Sequence, residues 1–335
     1  MAFYTNKKIL VTGGTGTIGQ HLVRRLLQDN PAVIRIFSRD EHKQFEMQQS
    51  LQEHNRTLRY LIGDVRDVNR LTRAMEDIDY VFHLAAMKHV PACEYNPFEA
   101  VQTNVIGTQN VIQAAIHNEV SKVLFTSSDK AVSPTNTYGA TKLMGERLIS
   151  AAEYQKGPKP TVFASVRFGN VMGSRGSVIP LFKKQILEDG RITVTDPSMF
   201  RYMMTPSQAI SLLLKANEMA YGGEVFVLKM PVIRLGDLVD VIIEEVTRKY
   251  QLDRPVQITQ IGLRPGEKMF EELMTEDEAR EALEMPDMYI LKPLYGGARQ
   301  RERYGAVQPA ELPSIEKDII SKSTLRQWIQ SENLI

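Results

Sequence analysis

Two residues of a helical segment, Tyr138 and Lys142, could together remove a proton from a hydroxyl group. They stand four positions apart in Tyr138-Gly139-Ala140-Thr141-Lys142, and this spacing places both side chains on one face of a helix. A tyrosine side chain has an ordinary pKa of about 10 and is a poor base at neutral pH. A neighbouring ammonium favours the tyrosinate form, so the pair is suited to take a proton from an alcohol.

An acid and an amine follow a serine ten residues before Tyr138, in the sequence Ser128-Asp129-Lys130. They come directly after a strand-like segment, and ligands bind at the carboxyl ends of strands in open α/β folds. Ser128 could donate a hydrogen bond to an oxygen that is being oxidised. Adjacent groups with opposed protonation needs are suited to acid and base roles. In the competing interpretation, Asp129 caps a turn and Lys130 is solvated.

A glycine-rich loop joins the first strand-like segment to the first helical segment and could cradle a pyrophosphate. Its sequence is Gly13-Gly14-Thr15-Gly16-Thr17-Ile18-Gly19. Gly13 allows a tight turn, Gly16 lets a pyrophosphate approach the backbone, and Gly19 lets the helix pack closely on the sheet. The free N–H groups and the dipole of the helix N-terminus favour phosphates. This strand-loop-helix context favours a dinucleotide site over an ordinary glycine-rich turn.

The end of the second strand-like segment bears on which dinucleotide binds. It reads Phe37-Ser38-Arg39-Asp40. A hydroxyl beside a guanidinium suits the 2′-phosphate of NADP, because a guanidinium can bind a phosphate through two hydrogen bonds. Asp40 complicates this prediction, since an acidic residue near this point can instead bind the ribose of NAD. We predict NADP, against the alternative that Arg39 is only a solvated surface charge.

Short apolar runs alternate with helical patterns in the first half of the chain, which predicts an α/β fold with a Rossmann-type, doubly wound parallel sheet. The predicted strands are Lys8–Thr12, Val33–Phe37, Leu58–Ile62, Tyr80–Leu84, Lys122–Thr126 and Thr161–Val166. A long helix is predicted from about Val101 to Ile116. We expect residues 1–169 to form an NADP-binding domain. Residues 170–335 are expected to form a smaller C-terminal substrate-binding lobe, interleaved with the first domain.

Composition argues against several classes of protein. The 335 residues include 41 basic and 40 acidic side chains, a balance that gives no support for nucleic acid or an anionic membrane as a partner. Cys93 is the single cysteine, so an intrachain disulfide is excluded and a reducing cytoplasm fits. We expect no membrane helix and no signal peptide, because the long apolar runs that they need are missing. We expect no metal site either, since His83 and His89 lack accompanying ligands.

Several motifs together carry a resemblance to a known family. The spacing Gly-x-x-Gly-x-x-Gly, with the Tyr138/Lys142 pair downstream, resembles the extended branch of the short-chain dehydrogenase/reductase superfamily. A narrower resemblance is to the configuration-inverting UDP-N-acetylglucosamine 4,6-dehydratases. It covers most of residues 8–275 and rests on Ser127–Lys142, Ala85–Pro91, Glu94–Pro97, Arg167–Val178 and Arg264–Lys268. Retaining relatives typically have methionine where this chain has Tyr138, which favours the inverting branch.

The resemblance implies an NADP-dependent enzyme that removes water from UDP-N-acetylglucosamine. Tyr138 would act in the oxidation of C4, Lys130, when neutral, would take the C5 proton, and Asp129, when protonated, would protonate the departing C6 hydroxyl. Hydride return to C6 and protonation of C5 from the opposite face would give UDP-2-acetamido-2,6-dideoxy-L-arabino-hexos-4-ulose. Such enzymes begin bacterial surface-sugar pathways, including those for capsule and flagellin glycosylation, and are often homo-oligomers.

The resemblance also implies two sets of binding residues. The cofactor set comprises Gly13, Thr15, Gly16, Thr17, Ile18, Gly19, Ser38, Arg39, Asp64, Val65, Ala85, Ala86, Lys88, Asn104, Tyr138 and Lys142. The substrate set comprises Lys88, Asn170, Arg175, Ser177, Val178, Arg264 and Glu267. Asn170, Arg175 and Arg264 suit a diphosphate, and Glu267 could accept hydrogen bonds from the uridine ribose. Each basic residue could instead form a surface salt bridge.

Two other functions stay open. A nucleotide-sugar 4-epimerase would use the same glycine loop and the Tyr138/Lys142 pair, but it gives no reason for Asp129 and Lys130; a dehydratase with added 5-epimerase activity is a related possibility. The second alternative is a regulatory protein that binds NADP without turnover. Such proteins often lose the tyrosine or the lysine of the pair, and this chain keeps both.

Overall fold

The strands of the protein are short and mostly buried in a computed structural model, which describes residues 2–293, 304, 308–311, 313 and 318–335. In chain order they are β1 (Lys8–Thr12), β2 (Val33–Ser38), β3 (Leu58–Ile62), β4 (Tyr80–His83), β5 (Lys122–Thr126), β6 (Val162–Arg167), β7 (Asn170–Val171), β8 (Arg191–Val194), β9 (Phe200–Met204), β10 (Val225–Leu228), β11 (Val232–Arg234), β12 (Gln257–Gln260), β13 (Leu283–Glu284), β14 (Met288–Leu291) and β15 (Gln308–Pro309).

The helices of the described residues cover both faces of the sheet and build a second layer. They are α1 (Thr17–Leu27), α2 (Glu41–Ser50), α3 (Val68–Ala74), α4 (Val90–Tyr95), α5 (Pro97–Val101), α6 (Gly107–His117), α7 (Thr137–Gln155), α8 (Val178–Asp189), α9 (Pro206–Met219), α10 (Leu235–Tyr250), α11 (Glu276–Glu281) and α12 (Lys322–Ser331). None of these helices is long and apolar enough to cross a membrane.

The central sheet has the strand order β15-β13-β14-β10-β6-β5-β4-β1-β2-β3. The strands from β10 to β3 pair in parallel, whereas β14, β13 and β15 pair antiparallel. The order reverses between β1 and β4, and ligands bind outside the carboxyl ends of strands at such a reversal. The predicted Rossmann-type sheet is confirmed, and its topology brings the loops after β1 and β4 to one site.

The six predicted strands are confirmed, with ends that differ by at most one residue. They are recognisable because strands buried on both faces of a parallel sheet read as continuous apolar runs. In β1, for example, Ile9, Leu10 and Val11 have no exposed surface. These strands could therefore be predicted because they are buried on both faces, more than because of the strand propensity of their residues.

The helix predicted from Val101 to Ile116 is instead divided into α5, a π-helical turn over Gln102–Ile106, and α6. The π-turn carries Asn104, whose side-chain amide donates to the carbonyl of Met87 at 2.9 Å and accepts from its N–H at 2.8 Å. Single π-turns inside helices frequently occur at functional sites. Here the turn ties the helix to the segment that follows β4.

The chain after β6 builds a second layer and also returns to the central sheet. Strands β7, β9 and β11 form a three-stranded sheet, and β8 pairs with β12. They enclose a separate hydrophobic cluster with α8, α10 and α12, which includes Ile179, Leu238, Ile242 and Leu325. Strands β10 and β14, by contrast, extend the central sheet. A domain boundary at residue 169 stays a prediction.

Arg167, at the end of β6, is a buried arginine that ties the second half of the chain to the sheet. Its guanidinium contacts the Glu146 carboxylate at 2.9 and 2.8 Å and the Glu278 carboxylate at 2.8 and 2.9 Å. It also donates to the carbonyl of Leu273 at 3.0 Å. Burial opposes the charge, but the two carboxylates hold the pKa of Arg167 above its ordinary value. The cluster fixes the segment that precedes α11.

We predict that Arg167→Met destabilises the protein by about 3–5 kcal/mol, because it leaves Glu146 and Glu278 without their buried partner. The free energy of unfolding from urea titration measures the loss. Arg280→Met is the control, because Arg280 is 71% exposed in its pairs with Glu276 and Asp277 and should change stability by no more than about 0.5 kcal/mol. Equal effects of the two changes would contradict the role of Arg167.

Candidate active site

The glycine-rich loop lines a cavity of about 570 Å³ at the carboxyl edge of the central sheet. Gly13 has a φ of +69°, and an added Cβ would lie 2.8 Å from the backbone nitrogen of Ala85. A Cβ on Gly19 would lie 2.6 Å from the carbonyl oxygen of Gly13. Gly16 is the N-cap of α1 and brings no side chain to that position, so the first N–H groups of the helix can meet an anion. The loop fits the pyrophosphate of a dinucleotide.

This cavity brings together most of the residues predicted to bind the cofactor. Its lining includes Gly13, Thr15, Gly16, Thr17, Ile18, Gly19, Ser38, Arg39, Asp64, Val65, Ala85, Ala86 and Lys88. Asn104, Tyr138 and Lys142 lie outside that lining. The Asn104 amide is already engaged by the backbone of Met87 and by the Thr141 hydroxyl, the latter at 2.9 Å. Asn104 thus links the π-turn to Met87 and Thr141, and its contact with the cofactor stays a prediction.

One end of the cavity, beyond β2, carries the residues that could distinguish NADP from NAD. Asp40 caps α2: its carboxylate accepts from the backbone N–H of Lys43 at 3.0 Å and pairs with the Lys43 ammonium. The Ser38 hydroxyl accepts from the Gln44 amide at 3.0 Å. Arg39 is 59% exposed, with its Nη1 atom 3.7 Å from Asp64 Oδ2. Asp40 is thus occupied as a helix cap, while Arg39 has only a loose partner.

Lys43 also lines this cavity, and sequence reasoning missed it. Its ammonium lies on the same side of α2 as the Asp40 cap that it pairs with. The signal was present in the spacing Asp40-x-x-Lys43, which places a cation in the first turn of a helix directly after Arg39. Two cations and a hydroxyl therefore stand at this end of the cavity.

The predicted acid–base residues form a buried cluster after β5. Lys130 Nζ lies 3.0 Å from Asp129 Oδ1 and 3.4 Å from Glu271 Oε1, with side-chain exposures of 19%, 0% and 5%. The Ser128 hydroxyl donates to Asp129 Oδ1 at 2.9 Å and hydrogen-bonds Tyr138. Asp129 Oδ2 is buried with no hydrogen-bond partner among the described residues. Ser128, Asp129, Lys130 and Tyr138, which are predicted to act on a sugar, therefore form one chain of contacts, and Glu271 is an addition that the sequence did not reveal.

The charges of this cluster act on one another. Burial lowers the pKa of Lys130, but the Asp129 and Glu271 carboxylates outweigh it and hold that pKa above the ordinary value. Burial raises the pKa of Tyr138, while Ser128 and Lys130 act in the opposite direction. Lys130 is thus an ammonium in the resting cluster, whereas the predicted base at C5 has to be a neutral amine. A proton must leave Lys130 before it can act.

The side chain of Lys142, in α7, reaches the end of β5. Its ammonium donates to the carbonyl of Thr126 at 2.8 Å and stands 4.6 Å from the centre of the Phe125 ring. Burial lowers the pKa of Lys142 to about 7. His83 is buried nearby and hydrogen-bonds Thr12 and Thr108 through its two ring nitrogens. Both ring nitrogens of His83 are thus engaged within the fold.

A second cavity, of about 250 Å³, gathers most of the predicted substrate residues. Its lining includes Asn170, Ser177, Val178, Arg264 and Glu267, together with Thr193, Thr195 and Arg201, which were not predicted. Ser177 is the N-cap of α8, and its hydroxyl is buried without a partner among the described residues. The first N–H groups of a helix and a free hydroxyl together form a surface that suits an anion.

The turn that carries Arg264 and Glu267 packs against the start of α7, the helix that carries Tyr138. The Asn136 amide donates to the carbonyl of Gly266 at 3.0 Å, and the Thr135 hydroxyl donates to the same oxygen at 3.2 Å. Gly266 has a φ of +80°, a conformation that glycine adopts without strain. Because Asn136 is also the N-cap of α7, the wall of the second cavity and the Tyr138 helix share one anchor.

Arg175 and Lys88 face the first cavity, not the second. Arg175 donates to the carbonyl of Thr15 through its guanidinium, and its backbone N–H donates to the Thr17 hydroxyl at 3.1 Å. Lys88 lines the same cavity, and burial together with the Arg175 charge lowers its pKa. Arg175 was expected at the substrate diphosphate. The structure places it against the glycine loop, because the segment after β7 crosses over that loop.

A doubly wound sheet with this glycine loop and a Tyr138/Lys142 pair beside Ser128 defines an enzyme of the short-chain dehydrogenase/reductase type. Within that class, the chain belongs to the polysaccharide biosynthesis protein family, whose model matches residues 9–293. The X-ray structure of Pen from Bacillus thuringiensis has 55% sequence identity and a TM-score of 0.93, and the match covers 100% of both chains.

Other relatives carry enzyme names within one chemical class. A UDP-N-acetylglucosamine 4,6-dehydratase (inverting) of Campylobacter jejuni is 39% identical over 99% of this chain and 97% of its own. A UDP-glucose 4-epimerase of Rickettsia conorii is also 39% identical, over 96% and 93%. A Methanocaldococcus jannaschii protein named only as a membrane protein, MJ1061, is 52% identical over 88% of each chain. The chain is a nucleotide-sugar-modifying enzyme.

We predict that Arg175→Ala weakens binding of the dinucleotide and leaves binding of UDP unchanged within about twofold. Loss of one charge-assisted hydrogen bond of about 1.5–3 kcal/mol corresponds to roughly a tenfold to hundredfold loss of affinity. Calorimetric titration with each ligand measures both. Arg264→Ala, in the second cavity, is the matched control and should show the reverse pattern. A loss confined to UDP in Arg175→Ala would restore our first expectation for this residue.

Proposed function

We propose that the protein is an NADP-dependent UDP-N-acetylglucosamine 4,6-dehydratase that inverts C5. Its product would be UDP-2-acetamido-2,6-dideoxy-L-arabino-hexos-4-ulose, the first intermediate of a bacterial surface-sugar pathway in the cytoplasm, such as those for capsule or flagellin glycosylation. The observation that carries the proposal is the buried contact of Ser128, Asp129 and Lys130 beside Tyr138. Oxidation at C4 needs only Ser128, Tyr138 and Lys142. The buried acid Asp129 and the buried amine Lys130 therefore indicate a second chemical step.

The chain's own groups can perform that second step. Tyr138 takes the proton of the C4 hydroxyl, which Ser128 holds by a hydrogen bond, and the resulting ketone acidifies the proton at C5. Transfer of one proton within the Asp129–Lys130 pair converts carboxylate and ammonium into carboxylic acid and amine. Lys130 then takes the C5 proton while Asp129 protonates the departing C6 oxygen, so that water leaves. Asp129 Oδ2, which has no hydrogen-bond partner among the described residues, is the oxygen left to carry that proton.

The cofactor assignment rests on the charges beyond β2. Bound NADP would supply the acceptor for the C4 hydride and its later donor. Arg39, Lys43 and the Ser38 hydroxyl would hold the 2′-phosphate, whereas Asp40 caps α2 and pairs with Lys43. A carboxylate that is engaged in this way is poorly placed to accept the ribose hydroxyls of NAD. The glycine loop would hold the pyrophosphate.

The substrate assignment rests on the second cavity. Arg264 would pair with the UDP diphosphate at the N-terminus of α8, with Asn170, Ser177 and Val178 beside it and Glu267 accepting from the uridine ribose. These residues line one cavity. The hydrogen bond from Asn136 to the Gly266 carbonyl joins the turn with Arg264 and Glu267 to the start of the helix that carries Tyr138. We further propose that residues 1–169 mainly bind the cofactor, that residues 170–335 mainly bind the UDP-sugar, and that the protein works as a homo-oligomer.

We predict that incubation with UDP-N-acetylglucosamine and NADP gives a 4-keto product lighter by one water in mass spectrometry. In heavy water, the product should carry deuterium at C5, because C5 loses and regains a proton. Asp129→Asn removes the proton donor and should slow water loss by roughly a hundredfold to ten-thousandfold. Asp277→Asn is the control, because Asp277 is 91% exposed on α11 and should leave the rate unchanged.

The Rickettsia relatives make a 4-epimerase the second candidate. A product of unchanged mass, inverted only at C4, would assign the protein to that activity, and Asp129→Asn would then retain most of its rate. A product that has lost water and carries mixed C5 configurations would instead indicate a dehydratase with added 5-epimerase activity. Bound NADP without any product would indicate a regulatory protein.

We predict that the unaltered protein binds NADP roughly tenfold to a hundredfold more tightly than NAD, since a charge-assisted contact contributes about 1.5–3 kcal/mol. Arg39→Ala and Lys43→Ala should each erase much of this preference. The dissociation constant for NAD is the internal control in Arg39→Ala, because it should hardly change there. Fluorescence titration measures both constants. Equal affinities for the two dinucleotides in the unaltered protein would refute the assignment.

A further inference from the structure

Glu271 is a buried carboxylate that the chemistry above leaves without a role. It is 5% exposed, and its Oε1 atom lies 3.4 Å from Lys130 Nζ, which also contacts Asp129 at 3.0 Å. Glu271 stands 141 positions after Lys130 in the chain. A carboxylate is seldom buried without a partner, and the partner here is the proposed base at C5.

The segment around Glu271 is fixed at several points. Lys268 donates to the carbonyl of Val132 at 3.1 Å, and the N–H of Phe200 donates to the carbonyl of Met269 at 3.1 Å. On the other side, Arg167 holds the carbonyl of Leu273 at 3.0 Å. The chain on both sides of Glu271 is therefore anchored to other parts of the fold.

We propose that Glu271 is a positioning residue for the dehydration: it is the permanent counter-ion of Lys130, which frees Asp129 to act as an acid. This inference rests on the proposed function. When Lys130 takes the C5 proton, the C5–H bond breaks and an ammonium forms 3.4 Å from the Glu271 carboxylate. The electron pair forms the C5–C6 double bond, and the C6 oxygen leaves as water with the proton of Asp129. While Asp129 still carries its proton, Glu271 is the carboxylate that offsets the charge of this ammonium.

The titratable groups that act on Lys130 are Asp129, Glu271 and Tyr138. Glu272, the next residue, points elsewhere: it is 46% exposed and lies 3.9 Å from Lys268. Removing the Glu271 charge leaves Lys130 with one carboxylate partner. Lys130 should then lose its proton at lower pH and should be a weaker base.

The first experiment measures Lys130 without any substrate. Trace acetic anhydride acetylates only neutral amines, and peptide mass spectrometry reports the pH at which Lys130 becomes labelled. In Glu271→Gln this pH should fall by roughly one to three units, the usual effect of an opposite charge in contact. Glu271→Asp, which withdraws the charge by one methylene, should lie between Glu271→Gln and the unaltered protein. Glu272→Gln is the matched control and should label like the unaltered protein.

The second experiment measures the steps of the reaction separately. In Glu271→Gln, the pH profile of water loss should move to lower pH and its maximum should fall by roughly tenfold, because a weaker base removes the proton more slowly. The first burst of NADPH absorbance, which reports C4 oxidation, should keep its rate. Glu271→Asp should recover part of the water loss, and Glu272→Gln should match the unaltered protein in both steps.

These outcomes separate the inference from the proposed function. Labelling that shifts in Glu271→Gln while the unaltered protein forms no dehydrated product would refute the dehydratase assignment and keep the Glu271–Lys130 coupling. Unchanged labelling in Glu271→Gln would overturn the coupling, even in an active dehydratase. If Glu271→Gln does not fold, Glu271→Asp decides, because an unchanged labelling pH in that variant also overturns the proposal.

Discussion

The rest of the site depends on the burial of one ammonium, Lys130, between the carboxylates of Asp129 and Glu271. Taking three charges out of water is costly unless their geometry is good and their remaining atoms are satisfied. The cluster therefore needs three parts of the chain at once. Asp129 follows β5, and Glu271 precedes α11. Gly169, which follows β6, lies so close to Asp129 that an added Cβ would be 2.9 Å from Asp129 Oδ2. A small error in any of these parts would leave a charge unpaired.

Arg167 explains how distant segments meet with that accuracy. It ends β6, two residues before Gly169, and its guanidinium binds the carbonyl of Leu273, two residues after Glu271. One buried arginine thus fixes the positions of two of the three parts relative to the sheet. The third part, the turn after β5, follows directly from a central strand. The supports of the site thus belong to the core, and the turn that carries Arg264 and Glu267 is anchored by Thr135 and Asn136.

Much of the fold and of the candidate site could be predicted from the sequence. The parts that could not be predicted have a physical reason. The strands, the glycine loop and the Ser128–Lys130 turn are local patterns, and the sheet places them together by its topology alone. Glu271 could not be found, because its contact with Lys130 spans 141 positions and nothing around it in the sequence differs from a surface helix start. Arg175 was expected at the substrate because a guanidinium suits a diphosphate. The segment that carries it crosses over Thr15 and Thr17, so Arg175 lies at the other cavity. After Leu291 the structure describes residues 292–293, 304, 308–311, 313 and 318–335, which include β15 and α12.

The segment from Ser174 to Ser177 gives the two cavities a common wall. Ser174 lines both of them, Arg175 faces the first, and Ser177 faces the second. Gly173 and Gly176 flank Arg175 with φ values of +68° and +72°, and a Cβ on Gly176 would lie 2.3 Å from the His89 ring. The close packing of Gly176 against the His89 ring leaves no space for a side chain at that position, and the positive φ values favour glycine at both flanking positions. The turn that separates the two cavities therefore depends on its glycines, because a larger residue at either position would disturb the wall that both cavities share.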